Sequence, residues 1–292
     1  MFDFTEIFCV VDDFFKEFEP IYWQFLKKQN IRRRMRQATL SLSEIVTIAI
    51  CYKSSQVNNF KTFFHLLHQF ESKLFQALPG YKNMITLINQ HQLAIHALHY
   101  ALTKKQEGQY LWIDSSSIPI CKNKRIPQGH HALDCIATRG KNSMGWFYGC
   151  KLHLLMNSEG EIFNTTLSNG HVADIKKIEE LVDGLSAVIY GDRGYIGQQV
   201  KAKLLEKGID LITYSRKNMQ KMPLAFSDEF HLRQRKRIET LMGLLKDKYQ
   251  LVTSKQRSFS GFLAGIFSSL CAYQILQKNK PKIYVVKSLA YP

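Results

Sequence analysis

The chain has 292 residues, 45% of them hydrophobic, and a formal net charge of +16. The hydrophobic share excludes a disordered or low-complexity chain, and the length allows two domains or one large one. The positive excess points to a polyanionic partner, nucleic acid first and an anionic membrane surface second.

Residues 1–26 carry six acids against one lysine, and Lys27 to Arg36 then packs six basic residues into ten. The opening MFDFTEIF has acids where a secretory leader would have lysines. Six cysteines without a C-x-x-C pair predict reduced thiols in a cytoplasmic protein. Ser41 and Glu44 have the spacing of a capping box opening a helix. Helical periodicity recurs over Phe60–Phe70 and Ile85–Leu102, so residues 1–105 are expected to form an all-helical domain with a possible role in DNA binding.

The pattern changes at Gln109. YLWID is expected as a short strand ending in Asp114, followed by a polar segment from Ser115 to Ser143. MGWFYGCKLHLLMN and EIFNTTLSN form a hairpin around Ser158–Gly160. A helix over Ala173–Leu185, the strand AVIYGD, a helix over Gln198–Lys207 stopped by Gly208, the strand DLITYS and a helix over Leu232–Tyr249 complete the order. Three antiparallel strands followed by parallel crossovers predict a mixed five-stranded sheet with flanking helices.

Ser258–Gln277 is twenty residues without charge, and Gly261 and Gly265 make a G-x-x-x-G. Its length would span a bilayer. Six Ser or Gln residues and bulky residues at helical spacing favour a core helix instead. The second, sheet-containing domain is therefore bounded at 106–278, with 279–292 as a basic tail.

Asp114 and Asp192 fall at the carboxyl ends of adjacent strands, where open α/β sheets keep their sites. Two such carboxylates repel unless a cation lies between them, and a few hard oxygen ligands suit Mg²⁺ or Mn²⁺. On the last helix Arg235, Glu239, Met242 and Lys246 form one stripe beside the apolar stripe Ile238, Leu241, Leu245, so Glu239 is the third candidate ligand. An exposed ion-paired helix face is the plainer reading of that stripe. Lys151 and His153 share a strand face, and His171 follows Gly170 near Asp174; all are candidate DNA or phosphate contacts. Residues 201–257 hold 14 basic against six acidic residues. His65/His68 and His96/His99 have H-x-x-H spacing but no further ligand, which favours helix-face or core histidines over zinc. Ser115–Ser117 lack the base and arginines that a nucleophilic serine needs.

WIDSSS, YGCKLHLL, SNGHVADI, YGDRGYIG and RQRKRIETLMGLLK, in this order, resemble the DDE transposases of bacterial insertion sequences. The resemblance covers Gln109 to Gln277 and implies an RNase H-like, retroviral-integrase-like catalytic domain. It implies Asp114, Asp192 and Glu239 as catalytic metal ligands, 78 and 47 residues apart, holding two Mg²⁺ or Mn²⁺ ions per active site. Arg235 and Lys246 match basic positions of the family helix, but Leu232 stands where the family has a tyrosine. The implied reaction is metal-dependent cleavage at terminal inverted repeats and strand transfer into target double-stranded DNA. The enzyme would act as a homodimer, cytoplasmic and nucleoid-associated, without a membrane. Arg193, Arg237, Arg235, Lys246, His171 and Lys151 are the expected DNA contacts. The competing expectations are a non-catalytic repressor derived from a transposase and a cellular nuclease of the same fold.

Overall fold

The computed structural model describes residues 4–31, 39–104, 109–128, 131–216, 219, 223–252 and 257–282. Arg32–Arg36 of the basic run and Lys287 of the tail lie outside the described residues. The chain divides into two compact units, residues 1–102 with 245–277 and residues 103–244 with 278–292.

In the first unit, α1 (Phe4–Lys28), α2 (Leu42–Ser54), α3 (Phe60–Phe70), α4 (Tyr81–Gln90) and α5 (Gln92–Lys104) follow one another. The capping box forms as expected: Ser41 N donates to Glu44 Oε2 at 2.6 Å, and Glu44 N donates to Ser41 Oγ at 3.1 Å. His96 stacks on Phe267 with centroids 4.1 Å apart, and buried His99 lies 5.6 Å from the same ring. Burial drives His99 down to about 3, so it is a neutral core group.

The second unit is built on β1 (Tyr110–Cys121), β2 (Thr138–Asn142), β3 (Gly145–Met156), β4 (Ile162–Asn169), α6 (Ile178–Leu181), β5 (Val188–Gly191), α7 (Gln198–Glu206), β6 (Asp210–Thr213), α8 (Phe226–Gln234) and α9 (Lys236–Asp247). The strand order is β2-β3-β1-β5-β6, with β4 also on β3. β2 takes Gly145–Gly149 of β3 and β4 takes Cys150–Met156, so the two lie end to end along one edge. Six strands thus occupy five lanes, antiparallel on one side of β1 and parallel on the other, which is the RNase H-like arrangement. Leu111 and Ile113 of β1 pack with Ile189, Leu211, Leu204 and Leu181 on one face. Trp112 points to the other face, where its Nε1 donates to the carbonyl of His231 at 3.0 Å.

Several local expectations change. β1 runs seven residues past Asp114 to Cys121, because β3 pairs with it along that length. β2 lies inside the stretch read as polar loop; its exposed polar positions hide a strand whose partner is β3. Ala173–Leu185 is a 3-10 turn (Asp174–Lys177) leading into the single turn α6. The expected helix over Leu232–Tyr249 is broken at Arg235, where Arg235 N–Leu232 O and Ile238 N–Arg235 O bonds tighten the backbone between α8 and α9.

α10 (Phe259–Leu276) completes the first unit and not the catalytic domain in which the 106–278 boundary had put it. It is long and apolar enough to cross a membrane, but 67% of it is buried in the protein. Its residue Cys271 approaches the Ile95 carbonyl. After α10, Lys280 and Pro281 pack at the Gly160 turn of the sheet unit, and Lys282 pairs with Glu159 at 2.6 Å.

A Cβ on Gly149 would stand 2.1 Å from the Ile118 carbonyl oxygen, while one on Gly243 meets nothing within 4 Å. Gly149→Ala should therefore destabilise the chain by about 3 kcal/mol or more through forced separation of β1 and β3. Gly243→Ala, inside α9, should stabilise it by about 0.5–1 kcal/mol. Urea unfolding midpoints of the two variants check both signs.

Candidate active site

β1 and β5 run parallel in the register Leu111↔Ile189 and Trp112↔Tyr190. The offset in that register is the sequence separation of Asp114 and Asp192. Continued by two residues, the register brings the two aspartates to equivalent positions. In a parallel pair, equivalent residues face the same side. β5 ends at Gly191, and Asp192 turns out of the strand as an N-cap, its Oδ1 accepting from Gly194 N at 2.8 Å. The flanking glycines serve close packing: a Cβ on Gly191 would lie 3.0 Å from Ile113 Cγ2, and one on Gly194 would lie 2.9 Å from Asp192 Oδ1.

α8 is fastened to the same face. Tyr190 Oη donates to Asp228 Oδ1 at 3.1 Å and meets His231 Nδ1 at 2.8 Å. This network sets the start of α9. Arg235 then bridges two of the candidate acids: its Nη1 lies 3.5 Å from Asp114 Oδ2 and its Nη2 donates to Glu239 Oε1 at 2.7 Å. The Asp114 side chain is only 17% exposed, against 52% for Glu239. Burial pushes the Asp114 carboxyl up to about 6, Arg235 and the Ser115 amide oppose that rise, and Asp192 and Glu239 add to it.

The expected triad is thus drawn to one sheet edge but not gathered. Among the described residues no group of three or more His, Cys, Asp or Glu side chains stands close enough to hold a metal ion. The guanidinium of Arg235 stands where the negative charge collects. The donor set still fits a hard divalent cation: three carboxylates, two of them already paired with a cationic group.

The other candidates separate. Arg193 and Arg237 are exposed, Arg193 beside Asp192 and Arg237 on the first turn of α9. His171 is exposed and bonded through Nδ1 to Thr138 Oγ1 at 2.9 Å. Lys246 belongs to the first unit, outside the residues that build this site. Lys151 is not a free phosphate ligand: its Nζ donates to Val172 O at 3.0 Å and to Asp174 Oδ1 at 2.9 Å. Lys151 and His153 pair with Ser117 and Ser115. Strand alternation therefore puts them on the sheet face opposite Asp114.

Sequence reasoning passed over Asp174 and Tyr195. Asp174 Oδ2 would lie 3.6 Å from a Cβ on Gly194, so it stands beside the Asp192 turn. Tyr195 Oη is buried without a hydrogen-bond partner, and burial together with Asp174, Asp114 and Asp192 drives its phenol well above the ordinary range. The sequence signal for Asp174 was the proximity of HVAD to a strand end, and for Tyr195 its place in YGDRGYIG three residues after Asp192.

A carboxyl at about 6 in the folded chain and 3.8 in the unfolded one binds more protons when folded, so stability falls as pH rises between those values. Asp114→Asn removes this cost. With a chelator present, the variant should be more stable than the parent at pH 7 by up to about 3 kcal/mol, at 1.36 kcal/mol per pKa unit. The gain should vanish near pH 4, as urea titrations at the two pH values will show.

Comparison with known proteins adds the following. The family model described as "Transposase DDE domain" matches residues 104–259, more than half of the chain. No curated protein matches it. Among solved structures, the piggyBac transposase synaptic complex with hairpin DNA is 15% identical, covering 68% of this chain and 48% of that chain at a TM-score of 0.37. The catalytic domain of Mos1 mariner transposase is 10% identical, covering 68% of this chain and 95% of that one at a TM-score of 0.24. The Mos1 mariner paired end complex with Mn is 9% identical, covering 88% and 86% at a TM-score of 0.25. The match to the family model spans β1 to the start of α10, including both strand-end aspartates and the Arg235–Glu239 helix, and the chain belongs to the DDE-domain transposases.

Proposed function

We propose that the chain is a DNA transposase that cleaves phosphodiester bonds at element ends and transfers the freed 3′ ends to target DNA. The observation that carries this reading is the Asp114–Arg235–Glu239 bridge, with Asp192 following directly on the end of β5 beside β1, in a +16 chain. Asp114, Asp192 and Glu239 would hold Mg²⁺ or Mn²⁺, two ions per site. Bound there, the metal supplies an activated water and neutralises charge at the scissile phosphate.

The chain's own groups have defined parts. Asp114 must lose its proton before it can ligate, and its carboxyl, pushed up to about 6 by burial, keeps that proton to a higher pH than an ordinary carboxyl would. Arg235 neutralises the acids while no metal is bound. With a cation held by the three acids, the Arg235 guanidinium would be free to pair with a phosphate oxygen. The Tyr190–Asp228–His231 network fixes the origin of α9, and with it the reach of Glu239. Arg193 and Arg237 extend the positive surface along the backbone of the DNA. Joining two ends requires two such sites, so a homodimer is the working assembly. Location on the bacterial nucleoid would follow from this role.

The test uses the full chain with Mn²⁺ and duplexes carrying the sequences that flank its coding region. Cleavage confined to the ends is expected. Asp192→Asn should lower the rate by about 10²–10³-fold, since metal-borne charge stabilisation is worth several kcal/mol. Binding without cleavage would favour a repressor, and cutting of any DNA a nuclease. Arg235→Gln should also shift the pH profile of any activity upward, because it removes the group that opposes the rise in the pKa of Asp114.

A further inference from the structure

β2 and β3 form a tight hairpin with Ser143 and Met144 at its tip, and Gly145 supplies a φ of +115°. Residues on the two strands alternate sharply. Phe147 turns inward against Gly140, where a Cβ would stand 2.7 Å from its ring. Trp146 turns outward and is 64% exposed, and Met144 is 94% exposed. Both are large apolar groups left in water on a short projection.

Their surroundings are cationic. Lys141 pairs directly across from Trp146, and its Nζ sits 5.8 Å from the centre of the indole ring. Arg139 lies two residues back on the same face. Lys122, Lys124 and Arg125 are exposed on the adjoining 3-10 turn, whose Asn123 Nδ2 donates to Trp146 O at 2.8 Å. None of these five cations has a carboxylate partner among the described residues. Between residues 121 and 151 the sequence has one acid, Asp134, and the Tyr148 hydroxyl is bonded to it.

The position of the hairpin matters as well. Asp114 pairs with Leu154 of β3. Trp146 is an even number of residues from Leu154 on the same strand, so both lie on one face. Eight residues of strand are about 26 Å, or roughly 8 base pairs of duplex. The face between them is covered, with Leu152 and Leu154 buried, and the hairpin emerges from it beyond that cover at a distance a bound duplex can span.

We propose that the Lys141–Trp146 hairpin is a second DNA contact, in which Trp146 stacks on a base exposed at an unpaired or opened step and the five cations hold the flanking phosphates. Aromatic faces beside unpaired cations match a polyanion that itself presents aromatic rings. The inference rests on the reading of the chain as a DNA-acting enzyme.

Fluorescence anisotropy of the full chain with a perfect duplex, and with the same duplex carrying one unpaired base, tests it. Trp146→Ala is expected to lose about 10-fold in affinity for the unpaired-base duplex, to keep its affinity for the perfect one, and to leave the salt dependence unchanged. Trp146→Phe should restore most of the loss. Arg139→Ala with Lys141→Ala should instead lower the salt slope by about 2 on both duplexes. Exposure of Trp146 makes its variants neutral for folding, which unfolding midpoints will show. Equal binding of both duplexes by parent and Trp146→Ala overturns the proposal while leaving the transposase reading intact. A parent chain that binds no DNA overturns both. Capture by anionic lipid vesicles that is lost in Trp146→Ala, with no such change on DNA, assigns the patch to a membrane surface instead and also overturns it.

Discussion

β5 lies beside β1 in the register Trp112↔Tyr190, and this parallel pairing decides where the acids stand. With the offset equal to the spacing of Asp114 and Asp192, the two carboxylates reach the same edge without any loop having to carry them. The same pairing stacks Trp112 on Tyr190, with centroids 5.6 Å apart, and presents both to His231 of α8. The Arg235–Glu239 pair therefore arrives at the site by way of buried aromatic and hydrogen-bonded contacts. A one-residue slip of β5 would turn Tyr190 into the Ile189 face and carry Asp192 away from Asp114.

Charge balance explains the arrangement at the edge. Three carboxylates cannot stand together unprotonated without a cation, and burial makes the conflict sharpest at Asp114. Arg235 resolves it by bonding to Asp114 and Glu239 at once. Glu239 consequently leans toward the guanidinium and stays half exposed, where the sequence alone suggested a convergent triad. The stripe Arg235–Glu239 was visible in the sequence both as an ion-paired helix face and as a site element, and the structure makes it serve as both.

The opposite face of the sheet handles its polar groups differently. Lys151 is spent on Asp174 and on the Val172 carbonyl, tying β3 to the turn before α6. His153, buried and driven down to about 4 chiefly by burial, is bonded to Ser168 across the hairpin. These residues hold the layer on which the Asp192 turn rests, and no phosphate is needed to account for them.

Local features were legible in the sequence. The Ser41 capping box, the Gly208 helix stop at a φ of +77°, the β3–β4 hairpin and the i,i+4 spacing of Arg235 and Glu239 all depend on residues a few positions apart. The order of strands, and with it the fold class, followed from hydrophobic periodicity and a five-segment family resemblance. Other features required partners distant in sequence. β1 continues past Asp114 because β3 pairs with it, and β2 is a strand because Gly145–Gly149 faces it. α10 joins the first unit because its apolar surface is buried among those helices. Alternation in the sequence placed Lys151 and His153 together but could not say on which side of the sheet, since period two is indifferent to which face is buried. Local chemistry thus determined the elements and nominated the acids, while tertiary pairing decided which face each side chain serves and which charges meet.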